Sequence, residues 1–331
     1  MEREENIIDR NEGRRLIQEA TFRKVGNQRK TQSFDAELII RGRLYDFSVG
    51  RVMGILNATP DSFYSASRCQ EAAEACRRAG AMLEAGTDII DIGGCSTRPG
   101  ASLPSAEEEI ERLRPVLEAI REKYPDAVIS VDTFRSKVAR ECAERWQVDI
   151  INDISGGLFD PEMAPTVAET GCGYVLMHTR GLPDDMATRT DYEDGVVAGV
   201  LRETAFRVDE FRQAGVCNII IDPGFGFAKT IEQNYELLDR LDAFKIFDAP
   251  ILAGVSRKSM IWRPLGISPE EALPGTTALG MASLMKGASI LRVHDVEAAV
   301  QTVKVFRLLQ ASAERQENVI DIISRDDFAE R

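Results

Sequence analysis

The segment SILRVHDV, Ser289 to Val296, is a short apolar run that ends in an arginine, a histidine and an aspartate. A guanidinium and an imidazole at one strand end suit an anion such as phosphate. The setting makes the pair notable: the chain has two histidines, and 41 basic against 54 acidic residues give it a formal charge of −13.

Seven further apolar runs end in polar groups in the same way. VMGIL leads to Asn57, and TDIIDIG leads into GGCSTRPG, residues 93 to 100, with Thr97, Arg98 and Pro99. AVISV ends at Asp132, VDIINDI carries Asn152 and Asp153, and GYVLM ends at Met177 before His178. NIIID ends at Asp222, and PILAGV leads to Ser256, Arg257, Lys258 and Ser259. One polar strand end means little; eight suggest one shared polar pocket. Arg98, Lys258, Arg292 and His294 would serve an anion. Asn57 offers a hard neutral oxygen that suits Mg²⁺ when phosphate oxygens and water complete the shell. Asp132, Asn152 and Asp222 could pair with the N–H-rich edge of a heterocycle.

The Gly-rich DPGFGFAKT fits neither nucleotide motif. Pro223 occupies the first glycine position of a Walker loop and Ala228 precedes Lys229, which also stands where a dinucleotide loop needs its third glycine. Gly224 and Gly226 read instead as a tight loop bringing backbone and Phe227 near a ligand.

The elements that must position these groups follow a rhythm. Segments of helical periodicity separate most of the runs, as with Val296, Val300, Val303 and Phe306 in the last. Strands apolar on both faces, alternating with helices eight times over, predict an α/β fold of parallel βα units. Eight units in about 250 residues fit a (β/α)8 TIM barrel better than an open doubly wound sheet, and chemistry in such barrels sits at the C-terminal strand ends. Residues 34–315 read as one barrel domain. It opens on a β-hairpin about Arg41-Gly42, follows a polar N-terminal extension over 1–33, and ends in a C-terminal tail over 316–331.

Composition narrows the classes. The acidic balance argues against nucleic acid or an anionic membrane as partner, and no apolar run is long enough to span a bilayer. The charged start MEREENIIDRNEGRR lacks the apolar core of a secretory signal. Six scattered cysteines without a C-x-x-C pair read as reduced thiols in a cytoplasmic protein rather than as a zinc site or disulfide framework. Ala106 to Glu109 reads as the acidic first turn of a solvated helix.

Taken in order, NATPDSF, GGCSTRPG, SVDT, INDI, VLMH, DPGFGF, GVSRKS and RVHDV resemble the dihydropteroate synthases of the pterin-binding barrel family, over roughly residues 35 to 312. That resemblance implies the joining of p-aminobenzoate to 6-hydroxymethyl-7,8-dihydropterin diphosphate, with release of diphosphate, in a Mg²⁺-dependent homodimer. It assigns Asp132, Asn152, Met177, Asp222 and Lys258 to the pterin, with Asp132 near the developing charge. Asn57 would hold Mg²⁺ on the diphosphate, which Arg98, Arg292 and His294 would grip. Phe63, Thr97, Pro99, Phe227 and Ser259 would form the aminobenzoate site. Asp132, Lys258, Arg292 and His294 carry the catalytic expectations. Ionisation of the C–O bond puts positive charge on the pterin methylene and negative charge on the leaving group, so cations at the diphosphate favour the transition state, on an SN1-like path.

The chain departs from the family pattern at Ser65, where an acidic residue is usual, at Cys95, where Glu is common, and more mildly at Ala228. The first two lie in loops that the resemblance sets over the aminobenzoate end. Plainer readings stand beside these. Asp222 could cap its strand, Asp132 and Asn152 could satisfy backbone groups, and Asn57 could cap a turn. Arg292 and His294 could pair with Asp295, and Lys258 could be a solvated lysine. Met177 could be core, and His178 reads as a packed, hydrogen-bonded histidine rather than a catalyst. Two other functions share the barrel: a methyltetrahydrofolate:corrinoid methyltransferase, which has no need of the SRKS and RVHDV cations, and a pterin-binding homologue without turnover.

Overall fold

The computed structural model describes residues 37–57, 65–95, 103–181 and 188–326, with the side chains of 65–69 and 313–326 outside that description. Phe63, Thr97, Arg98, Pro99 and the side chain of Ser65 therefore lie outside the described residues.

Strands β1 (Glu37–Ile40) and β2 (Arg43–Asp46) pair antiparallel, with Ile40 opposite Arg43. Arg41 and Gly42 form the predicted turn, both with positive φ (50° and 77°), the geometry that matches the twist of a two-residue hairpin. Glycine adopts it freely. Arg41 is held there by its guanidinium, whose Nη1 donates to the carbonyl of Ala143 at 2.8 Å.

Eight parallel strands follow: β3 (Arg51–Asn57), β4 (Ile89–Gly93), β5 (Ile129–Asp132), β6 (Ile150–Asp153), β7 (Gly173–Met177), β8 (Ile219–Asp222), β9 (Leu252–Ala253) and β10 (Ile290–Val293). Their order is β8-β7-β6-β5-β4-β3-β10-β9, and a parallel bridge between Ile221 and Ile251 joins the two ends. The expected (β/α)8 barrel is formed. Around it run α1 (Ser65–Ala85), α2 (Ala106–Lys123), α3 (Ser136–Trp146), α4 (Met163–Thr170), α5 (Val196–Gln213), α6 (Ile231–Asp239), α7 (Ser259–Leu265), α8 (Leu273–Met285) and α9 (Val296–Asp326). Helix α9 buries Val296, Val300, Val303 and Phe306, the predicted stripe, and continues past residue 315, where the sequence suggested a tail.

Alternation along the strands sorts side chains between two cores. Val52, Leu56, Ile90, Ile92, Ile129, Val131, Tyr174, Leu176, Ile219, Ile221, Leu291 and Val293 pack outward with the helices. The opposite parity builds a layer at the N-terminal end of the barrel: Met53, Ile89, Ile150, Val175, Ile220, Leu252 and Ile290. Ile40 and Phe47, flanking the hairpin, close this layer from below. One step further along the same parity the layer changes character, to Asp91, Ser130, Asn152, Asp222 and Arg292. The barrel is plugged by hydrocarbon at one end and polar at the other.

One expectation is corrected. Ser105 caps α2 in a reciprocal box with Glu108, and Glu107 and Glu108 face solvent, but Glu109 is fully buried against Arg135. Helical periodicity turns every third or fourth residue inward, so an acidic run of this length cannot stay wholly on the solvent side.

Candidate active site

The polar layer is organised by Arg292 on β10. Its Nε donates to Oδ2 of Asp91 on β4 at 2.7 Å, and its Nη2 donates to Oδ2 of Asp132 on β5 at 2.8 Å. Asn152 on β6 joins the cluster, its Nδ2 donating to the same Asp91 oxygen at 3.0 Å. Three strands separate β10 from β6 around the wall, so these bonds cross the barrel interior. Nη1 of Arg292 makes no hydrogen bond among the described residues and remains available to a ligand. Burial alone would lower the Arg292 pKa, but Asp91 and Asp132 outweigh it and hold it above its ordinary value. Asp132 is pushed up to about 7 by burial, with Arg292 opposing and Asp91 adding to the rise.

Opposite lies the second half of the layer. Asp222 ends β8, and its Oδ1 accepts from the Gly224 backbone N–H at 2.8 Å. Burial raises its pKa while Lys258 pulls it down. Lys258 caps α7, donates to the carbonyl of Phe225 and sits 4.6 Å from the ring centroid of Phe227. Burial lowers it to about 8, against the pull of Asp222. It is a half-buried cation over an aromatic ring, not a solvated lysine. Ser259 opens α7 beside it. Above these groups an apolar shelf is formed by Phe134, Ile154 and Met177, with Phe159 and Phe227 packed against it. Met177 is thus both buried and part of the wall beside the polar layer.

At the rim, Asn57 ends β3 exposed, level with Gly93 of β4, and its side chain makes no hydrogen bond among the described residues. His294 is exposed, with Nδ1 3.0 Å from Oγ of Ser256, which also accepts from the His294 backbone N–H at 3.2 Å. Asp295 does not pair with Arg292. It forms a forked ion pair with Arg257, at 2.7 and 2.8 Å, which withdraws Arg257 from any ligand role. Asp153 is likewise structural: its carboxylate accepts from Tyr174 at 2.7 Å and from the Ser155 and Gly157 backbone.

His178 is packed and hydrogen-bonded, as expected. Its Nε2 lies 3.0 Å from Glu203 and its Nδ1 lies 3.0 Å from Nζ of Lys229, which also donates to the carbonyls of Gly224 and Phe227 at 3.0 Å each. Three acceptors match the three N–H of one ammonium. Lys229 ties the two ends of the DPGFGF loop together and is no phosphate-binding lysine. Burial, helped by Lys229, lowers His178 to about 4. An unfolded histidine titrates near 6.5, so the stabilisation from a neutral His178 is whole above that pH and is lost as pH falls towards 4, by about 3 kcal/mol. Burial would raise Glu203, but Arg180 and His178 hold it at about 2, so further stability is lost below about 4.5. Acid unfolding followed by circular dichroism should show a shallower loss between pH 6.5 and 4 in His178→Gln; an unchanged slope would assign that loss elsewhere.

Of the residues singled out in the sequence, Asp132, Asn152, Asp222, Lys258 and Arg292 meet in the barrel mouth. Met177 and Phe227 line its wall, and Asn57, Ser259 and His294 stand at the rim. Asp91, Phe134 and Ile154 were missed, and Ser256, named as a strand end, was given no role. The signal for Asp91 was present: a charged residue at inward parity inside an apolar run.

A carboxylate- and cation-lined mouth on a plugged parallel barrel defines the class as a barrel enzyme for a polar heterocycle carrying an anion, and the profile of the pterin binding enzyme family matches residues 53–294. The chain is 43% identical to the dihydropteroate synthase of Escherichia coli K12 over 284 residues, covering 85% of this chain and 98% of that one. It is 45% identical to that of Synechocystis over 258 residues, 77% and 88% of the two chains. In three dimensions it resembles the Yersinia pestis dihydropteroate synthase solved with a sulfonamide drug, with a TM-score of 0.76 at 37% identity over 83% of this chain and 99% of that one. It also resembles the Xanthomonas albilineans dihydropteroate synthase solved with 4-aminobenzoic acid, with a TM-score of 0.75 at 36% identity over 84% and 99%. The chain belongs to the dihydropteroate synthase family, and so to the transferases.

Proposed function

We propose that the chain condenses 6-hydroxymethyl-7,8-dihydropterin diphosphate with p-aminobenzoate, yielding 7,8-dihydropteroate and diphosphate in folate biosynthesis. The observation that carries the reading is the crossed cluster of Asp91, Arg292, Asp132 and Asn152 facing Asp222 and Lys258 in the barrel mouth. Asp222 and Asn152 take the N–H edge of the pterin, Lys258 approaches it from above, and Met177 packs on its face. Phe227 and Ser259, with Phe63, Thr97 and Pro99, which lie outside the described residues, hold the aminobenzoate.

The C–O bond to the pterin methylene breaks with its electron pair leaving on diphosphate. The arylamine nitrogen then forms the new C–N bond and loses a proton to solvent. His294 and Nη1 of Arg292, with Arg98, grip the leaving group, and Asp132 faces the cation that forms. Charge separates along the axis from carboxylate to cation, so the site stabilises the transition state more than the ground state.

Mg²⁺ fits as a companion of the substrate. Among the described residues no group of three or more His, Cys, Asp or Glu could hold a metal alone. The amide oxygen of Asn57, exposed at the rim and without a hydrogen bond among the described residues, is a hard ligand for an ion that brings diphosphate oxygens with it. When bound, the ion neutralises charge on the departing diphosphate.

A cytoplasmic homodimer completes the reading. Five cysteines among the described residues form no disulfide, as suits a reducing compartment. Among the described residues no helix is long and apolar enough to cross a membrane. Helix α9 exposes Val305, Leu308 and Leu309, and its neighbour α8 exposes Met285, an apolar face that a second copy would cover.

The test is turnover by purified protein with both substrates and Mg²⁺. One diphosphate released per dihydropteroate formed is expected; a folded protein that binds pterin but releases none would be a homologue without turnover.

A further inference from the structure

We infer that Asp91 is a positioning residue for this reaction, one carboxylate oxygen setting both the guanidinium plane of Arg292 and the amide orientation of Asn152. The inference rests on the functional reading above and deepens it, since it explains how two groups assigned to different parts of the substrate are held in one frame.

Asp91 is fully buried at the inward parity of β4, one layer above the hydrocarbon plug. Its Oδ2 accepts from Nε of Arg292 at 2.7 Å and from Nδ2 of Asn152 at 3.0 Å. The first contact fixes the guanidinium in a plane that also reaches Asp132 with Nη2 and leaves Nη1 directed away from both carboxylates. The second contact decides the amide flip. A carboxylate accepts only, so the NH₂ group of Asn152 must face it, and the carbonyl oxygen is presented to the pocket as an acceptor for a ring N–H. Without Asp91 the amide could turn over and offer donors where an acceptor is needed.

A purely structural role fits less well. The other oxygen, Oδ1, is buried without a hydrogen-bond partner among the described residues, an arrangement that costs stability. Arg292 would keep Asp132 as a counter-ion without Asp91, and an apolar side chain at this position would remove an unsatisfied buried charge. What Asp91 supplies that packing could not is direction.

Asp91→Asn keeps the shape and removes the charge, and should be assayed on the full chain with both substrates and Mg²⁺. It should lower kcat up to about 100-fold and raise KM for the dihydropterin diphosphate, with KM for p-aminobenzoate unchanged. Combining it with Arg292→Ala should lower kcat little more than Arg292→Ala alone, because the two act as a unit on that step, while the loss of pterin affinity that runs through Asn152 should persist in the double variant. Direct titration with a pterin should show weaker binding than the parent protein, a readout that stands even if the parent chain proves not to turn over. Asp91→Ser, which leaves room for a water, should behave alike if the first variant does not fold. Unchanged kcat and pterin affinity in a folded variant, or kcat losses that add in full to those of Arg292→Ala, would overturn the inference. Absence of turnover in the parent chain would instead count against the proposed function.

Discussion

Replacing Arg292 by alanine is expected to lower kcat roughly 100- to 1,000-fold while pterin binding persists. Among the described residues Arg292 is the only side chain that hydrogen-bonds both Asp91 and Asp132, and its Nη1 makes no hydrogen bond there and is available to a leaving group. Pterin contacts through Asp222, Asn152 and Lys258 remain in the variant, so the loss falls mainly on the charge-separating step. Stability suffers as well. Two carboxylates at the centre of the barrel lose their shared counter-ion, and breaking a buried ion pair from one side costs about 3–5 kcal/mol. Asp132, already raised to about 7 by burial with Arg292 opposing, should rise further, moving the acid limb of the pH–rate profile upward. Arg292→Lys should recover stability more than turnover, since a single ammonium cannot span two carboxylates and a phosphoryl group as a planar fork does. Steady-state kinetics, thermal unfolding and pterin titration separate these effects, and unchanged turnover in Arg292→Ala would contradict the role.

Gly224→Ala should abolish most pterin affinity without touching a ligand-facing side chain. Gly224 has a φ of +72°, and a Cβ there would lie 1.9 Å from the carbonyl oxygen of His178, a backbone atom with little room to give. The loop would have to move away from β7, breaking the Gly224 N–H bond to Asp222 and the Lys229 bond to the Gly224 carbonyl. Asp222 would lose the contact that aims its carboxylate. A stability cost of roughly 3 kcal/mol is expected, with pterin affinity falling more than stability alone explains. Thermal unfolding and pterin titration on the same preparation would show this, and wild-type affinity in the variant would show that the loop does not aim Asp222.

Much of this arrangement is legible in the chain itself, for physical reasons. Strands buried on both faces announce a parallel barrel through their apolar runs, and in a barrel the end of each run is the mouth. Reading run ends therefore found Asp132, Asn152, Met177 and Asp222. The same rule passed over Asp91, which lies inside its run: parity along the strand, not proximity to its end, decides what faces the interior. Parity also separates Asn152, which faces the pocket, from Asp153, which turns outward to Tyr174. Contacts between distant segments left no local trace. The pairing of Arg257 with Asp295 and the anchoring of the glycine loop by Lys229 on His178 each join residues more than 35 positions apart. Glu109 was misjudged because charge was weighed without helical phase.

A structure of the chain with dihydropterin diphosphate and Mg²⁺ puts the whole scheme to one direct test. The bicyclic ring should lie with its N–H edge on Asp222 and Asn152 and its face on Met177, and the diphosphate should meet Nη1 of Arg292, His294 and Asn57. A ligand seated with its phosphates away from β10, or with its ring outside the barrel mouth, would contradict it.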